Sequence, residues 1–256
     1  MKSLFDLSGK IALITGSTSG MGKAIAYAMG LHGAKVVISS NHAEGVIKTV
    51  EEFLSENIEA IGVACDMSQK TDIDTLFHQA IQTFGKIDIL VNCVGIAPVG
   101  GFLDINQENF EKTMDLNLQA AIYLTQLVLP QMQTQKDGVI IYLASIAGVR
   151  GNKYLGLYGV SKAGLIELAR NLAVEFGPDN IRINTISPGM INTPFSESLM
   201  KNEEFMQKRL AQTPLRRVGE VEEIAGLAVM LASKAGGFIT GQNIIVDGGT
   251  IISDGN

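Results

Sequence analysis

Residues 10–33 read KIALITGSTSGMGKAIAYAMGLHG, and three local preferences succeed one another in this stretch. KIALIT, residues 10–15, is a continuous apolar run rich in branched side chains, the composition of a strand buried on both faces. TGSTSGMG, residues 15–22, crowds three glycines into a turn. From Met21 the apolar positions recur at helical spacing, and Gly33 ends that helix. Gly16 permits a sharp turn, Gly20 permits close backbone approach, and Gly22 lets the helix pack tightly. The helix N-terminus then offers unpaired N–H groups and a positive dipole end to a pyrophosphate. The same glycines would equally serve a tight turn without a ligand, so the rest of the chain has to decide between the two.

Beyond residue 33 the chain alternates regularly. AKVVIS (34–39), EAIGVAC (59–65), IDILVN (87–92), GVIIYLAS (138–145), IRINTIS (181–187) and NIIVDGG (243–249) read as further strands. Helical spacing fills 43–56, 70–84, 106–116, 117–133, a stretch carrying YGVSK and ending at Phe176, and 220–232. A polar, Met-rich region occupies 190–215. The pattern predicts an α/β fold: a single-domain, doubly wound parallel sheet of about seven strands, helices on both faces, spanning 1–256.

Composition narrows the partners. Hydrophobic residues make up 46% of 256, enough for a large core, and the net charge is −6. An acidic chain without a basic cluster is not expected to bind nucleic acid or an anionic membrane. Cys65 and Cys93 lack metal-ligand spacing, so no metal is expected and free thiols are. No apolar window has signal-peptide or bilayer-spanning length, and the expected location is cytoplasmic. His32, His42 and His78 are expected at solvated positions.

The glycine spacing of residues 16–22 resembles the variant carried by the short-chain dehydrogenase/reductase family, and five further stretches extend the resemblance. NCVG (92–95) resembles that family's Asn-Asn-Ala-Gly, with Cys93 and Val94 departing from it. Asn117 in MDLNL stands where the family has a helix-disrupting asparagine. Ser145 precedes Tyr158 by thirteen residues, and YGVSK (158–162) matches Tyr-x-x-x-Lys. SPG (187–189) and INT (191–193) resemble the loop on the nicotinamide side. The resemblance implies an NAD(P)-dependent oxidoreductase with Asn117, Ser145, Tyr158 and Lys162 as its catalytic set.

The chemistry of those side chains agrees. A ketone accepting hydride develops charge on oxygen and needs a proton donor. A tyrosine near pKa 10 suits that task once a cation stabilises its phenolate. Tyr158 would therefore move the proton and Lys162 would tune it while holding the cofactor ribose. Ser145 would hydrogen-bond the substrate oxygen. The resemblance adds that Asn117 shapes a kink holding a relay water. Plainer alternatives are a helix-face pair for Tyr158 and Lys162, a strand-end turn for Ser145 and a helix cap for Asn117.

The cofactor is expected on Gly16, Thr18, Ser19, Gly20, Met21, Ser40, Asn41, Asp66, Met67, Asn92, Gly95, Tyr158, Lys162, Pro188, Gly189, Ile191 and Thr193. No acid stands at Ser40, where one would repel a 2′-phosphate, so the balance leans to NADP(H) over NAD(H). Ile96, Val149, Tyr154, Leu155, Phe195, Leu199 and Met206 are expected to wall an apolar ketone or alcohol, with 190–215 as its lid. Two other functions fit parts of the pattern. A 3-oxoacyl-carrier-protein reductase would need basic residues at the site, for which Arg150, Lys153 and Arg170 are candidates. A non-catalytic NAD(P)-sensing protein would not need the intact set of four. The resemblance further implies a homotetramer built on helices over 103–133 and 157–176.

Overall fold

The apolar runs pair edge to edge in the computed structural model, which describes residues 3–253. Its first half runs β1 (Ile11–Thr15), α1 (Gly20–Leu31), β2 (Lys35–Ser40), α2 (Ala43–Ser55), β3 (Ala60–Ala64), α3 (Lys70–Phe84) and β4 (Ile89–Asn92). Then come α4 (Gln107–Met114), α5 (Ala120–Gln135), β5 (Gly138–Leu143), α6 (Gly156–Phe176) and β6 (Ile181–Pro188). Two short helices, α7 (Glu197–Met200) and α8 (Glu203–Ala211), precede α9 (Val221–Ala232) and β7 (Asn243–Val246). Every pairing is parallel, in the order β3-β2-β1-β4-β5-β6-β7. This is the doubly wound α/β arrangement that the alternation predicts. Among the described residues no helix is long and apolar enough to cross a membrane.

The strand order fixes where a ligand can lie. The chain winds outward from β1 to β3, returns to β4 on the other side of β1, and winds outward again to β7. Connections leave neighbouring β1 and β4 in opposite directions, which opens a crevice beyond their carboxyl ends.

Side chains alternate between two cores. Ala12 and Ile14 pack with Ile25 and Met29 of α1 and with Ile224 and Ala228 of α9. Leu13, between them, packs on the other face with Leu76 of α3, Leu124 and Val128 of α5 and Leu165 of α6. A strand with two apolar faces shows no polar alternation, hence the unbroken run in the sequence.

The turn after β1 is held from below. Gly16 and Gly20 adopt φ of +65° and +52°. A Cβ on Gly22 would collide with the Gly16 carbonyl, so α1 begins directly on the turn. Ser17 is fully buried; its N–H donates to Ser39 O at 2.9 Å and its Oγ donates to Ile14 O at 2.7 Å. That Oγ also accepts from Ser39 N at 2.9 Å, tying the turn to the end of β2.

Two stretches differ from expectation. Spacing predicts two separate helices over 106–133, but α4 passes into α5 through a π turn at Asp115–Gln119, where Ala120 N donates to Asp115 O. One extra residue per turn is a bulge that the helix absorbs without breaking, and sequence periodicity does not register it. The polar region 190–215 contains α7 and α8, tethered by an Ile191–Gly219 bridge and by Leu215 N donating to Gly248 O at 3.2 Å.

Ser17→Ala leaves the buried Ser39 N–H without its partner. Urea unfolding should read a loss of about 1–3 kcal/mol, with the m-value unchanged.

Candidate active site

The crevice at the strand ends is a cleft of about 340 Å³. Gly16, Ser19, Gly20 and Met21 line it from the first turn, Ser40 and Asn41 from the end of β2, and Asp66 and Met67 from the end of β3. Gly95 and Ile96 come after β4, Tyr158 and Lys162 enter from α6, and Thr193 closes the far wall. Thr18 is not on the cleft; it lies against the start of α2, 3.6 Å from where a Gly45 Cβ would stand. Asn92 lies buried beneath the cleft rather than on it, with neither amide atom hydrogen-bonded. Val94 sits on the turn itself, its Cγ2 3.0 Å from the position of a Gly16 Cβ.

A second cleft, of about 230 Å³, adjoins the first. Pro188, Gly189 and Ile191, expected on the cofactor, line this one together with Ser145, Leu155 and Leu199. Met21, Ala144, Tyr158, Thr193 and Phe195 line both clefts, so the Tyr158 side chain stands where they meet. Val149, Tyr154 and Met206 do not line either. Val149 and Tyr154 are exposed, and the Tyr154 ring instead has Lys153 Nζ 5.1 Å from its centroid. Ile96 lines the cofactor-side cleft, because Asn117 pins it there. Arg150, Asn152, Ser198 and Arg209 also line the second cleft, so its wall is not apolar throughout.

Ser145 and Tyr158 come together through glycines. A Cβ on Gly148 would come within 2.7 Å of Ala163 N, and one on Gly159 within 2.6 Å of Ala147 O. The short turn Ile146–Gly148 therefore rests directly on α6. Ser145 caps that turn, its Oγ accepting from Ala147 N at 3.1 Å. Neither glycine stands out in the sequence; a glycine inside the YGVSK helix is the available signal.

Asn117 clamps three segments. Its Oδ1 accepts from Ile96 N at 2.8 Å, and its Nδ2 donates to Ile96 O at 2.8 Å and to Ser161 Oγ at 3.0 Å. Ser161 Oγ donates in turn to Tyr158 O at 2.8 Å. Both amide hydrogens are thereby used, so the Asn117 side chain offers position, and it does so at the π turn Asp115–Gln119 that interrupts the helix.

Comparison with known proteins accounts for this arrangement. Residues 16–250 match the family model described as "Enoyl-(Acyl carrier protein) reductase". The human protein "Dehydrogenase/reductase SDR family member 4" is 36% identical over 245 residues, covering 95% of this chain and 88% of its own. The chain belongs to the short-chain dehydrogenase/reductase family. With membership comes the reaction class of an NAD(P)-dependent oxidoreductase. Among solved family structures, a 7α-hydroxysteroid dehydrogenase complexed with NADH and 7-oxo glycochenodeoxycholic acid is 36% identical, with TM-score 0.91 and coverage of 96% of this chain and 95% of its own. A gluconate 5-dehydrogenase from Burkholderia cenocepacia in complex with NADP and tartrate has TM-score 0.93 at 28% identity, covering 97% and 98%.

The residues present fit a dinucleotide of this reductase family. Ser19 N-caps α1 without a side-chain bond, leaving the first N–H groups of the helix for a pyrophosphate. The backbone passes close on both sides: a Gly20 Cβ would touch Thr193 at 3.4 Å, and a Gly95 Cβ would meet Lys162 Nζ at 3.2 Å. Asp66 Oδ1 accepts from Ser68 N at 2.9 Å, which fixes its carboxylate on the cleft wall beyond the end of β3.

Burial dominates the ionisation here. Lys162 is buried, and its Nζ donates to Leu143 O at 2.8 Å. Removal from water pushes its pKa down to about 8. Burial raises the Tyr158 pKa, opposed by its hydrogen bond with Ser145. Lys162 Nζ lies 5.7 Å from the centroid of the Tyr158 ring, and burial, the larger influence, sets the direction of the Tyr158 shift.

A lowered lysine pKa costs stability wherever the folded state must still be protonated. The cost is absent above the ordinary value of 10.5 and complete below about 8. Lys162→Met should therefore gain stability relative to the parent as pH falls through that window. Thermal unfolding at pH 10.5 and pH 7 should differ in variant-minus-parent stability by up to about 3 kcal/mol.

Proposed function

We propose that the protein interconverts a ketone and a secondary alcohol, with Tyr158 as the acid–base group. The observation that carries this reading is the position of Tyr158 at the junction of the two clefts, beside Ser145 and four residues before Lys162. When bound, the nicotinamide supplies or accepts the hydride. In reduction the Tyr158 hydroxyl donates its proton to the carbonyl oxygen, and the Ser145 hydroxyl holds that oxygen in place. A phenol kept protonated by burial is the state this step requires. Lys162 holds the ribose and stabilises the phenolate formed, and Asn117 and Ser161 fix the segment from which both project.

The same reading assigns Ser40 and Asn41 to the adenosine ribose, with NADP(H) favoured. The end of β2 supports this lean: Ser40, Asn41 and His42 bring no carboxylate to repel a 2′-phosphate, and His42 Nδ1 is taken up in accepting from Gly45 N at 2.9 Å. Reduction of a carrier-bound 3-oxoacyl group is the second reading: of its three basic candidates Arg150 lines the second cleft, whereas Lys153 lies over the Tyr154 ring and Arg170 pairs with Glu167 at 3.0 Å. Val160 and Val174 on α6 are exposed apolar side chains that an assembly through this helix, such as the homotetramer, would cover.

Fluorescence titration with NADPH and NADH should give the tighter constant for NADPH, and Ser40→Asp should reverse that order by adding a charge that repels phosphate. Tyr158→Phe should lower kcat by about 10²–10⁴ with dinucleotide binding retained. Unchanged turnover in that variant would remove Tyr158 from the reaction.

A further inference from the structure

The second cleft holds charge that the hydride and proton transfers do not use. Arg150, from the segment after β5, and Arg209, from α8, both line it alongside Ser145 and Tyr158. The Nη1 of Arg209 is buried and has no hydrogen-bond partner, while the guanidinium carbon lies 5.8 Å from the centroid of the Phe205 ring. Among the described residues neither guanidinium takes part in an ion pair. Asp247 is near Arg209, but its carboxylate oxygens accept from Gly249 N and Ile251 N, each at 2.8 Å. Burial and the like charge of Arg150 both depress the Arg209 pKa, with Asp247 opposing.

An unpartnered buried guanidinium nitrogen costs on the order of 1–3 kcal/mol, and a second guanidinium nearby adds repulsion. Packing alone does not call for that arrangement, since an apolar side chain would fill the space without the penalty. An anion bound in the cleft offsets the repulsion between the two guanidinium groups, and the planar fork of arginine matches a carboxylate. The rest of the wall includes Leu155, Phe195 and Leu199, which suit an uncharged, apolar body.

We infer that the substrate is an oxo acid or the corresponding hydroxy acid, its carboxylate held by Arg209 and Arg150 while its carbonyl meets Tyr158 and Ser145. This rests on the ketone–alcohol reading and replaces the neutral apolar substrate with a carboxylate-bearing one.

The test compares kcat/KM of the cofactor-saturated enzyme for 4-oxopentanoate, 5-oxohexanoate and 6-oxoheptanoate with that for their methyl esters. At least one acid should exceed its ester tenfold or more, chiefly through KM. Arg209→Gln should bring that acid-to-ester ratio down to near one, Arg150→Gln should lower it in part, and Arg209→Lys should restore some of it. Dinucleotide titration checks that each variant is folded. Turnover of the esters equal to or better than that of the acids by the unaltered enzyme overturns the inference and leaves the ketone–alcohol reaction standing. Turnover of neither acids nor esters, with dinucleotide bound, overturns that reaction and the inference with it.

Discussion

A parallel sheet covered by helices on both faces has no wet face, so a polar group that is to meet a ligand must stand at a strand end. Every feature of the site derives from that constraint. Gly16, Ser40, Asp66, Gly95, Ser145 and Gly189 stand at or just after the ends of the six strands β1 to β6, in that order along the chain. The sheet brings to one edge what the sequence spreads over 170-odd residues. The reversal of winding between β1 and β4 then decides which part of that edge is open.

The tyrosine and lysine reach the site from α6, and its placement depends on contacts that leave no space. Gly148 and Gly159 let the turn after β5 lie against the helix, and Ser161 fastens the helix to Asn117. Asn117 in turn fastens Ile96 after β4. Through these bonds the loop after β4, the π turn and α6 form one rigid seat for Tyr158 and Lys162. The cost is a lysine held out of water, with Leu143 O accepting its hydrogen bond.

The fold was legible because its signals are local and repeated. Continuous apolar runs at β1, β4 and β5, helical spacing between them and glycines at the first turn all arise from burial and backbone sterics. The π turn was not legible, because a single extra residue leaves the apolar spacing on either side almost unchanged. That Thr18 stands off the cleft wall is equally hidden in the sequence. The direction of a side chain within a tight glycine turn is set by φ angles near +60° that residue types alone do not specify.

Strands and the pairing of a tyrosine with a lysine on one helical turn are written in residues close together in the chain, and the family in a set of such short motifs kept in order from Gly16 to Thr193. Only the tertiary structure decided which wall each loop residue joins. Val149 and Tyr154, expected to line the substrate wall, face solvent, while Asn152 and Arg209, which no motif marks, line the cleft beside Tyr158 together with Arg150. The physical reason is that a cleft is bounded by segments whose mutual placement is set by packing across the sheet. The charge inside it depends on that placement and not on the local composition of any one segment.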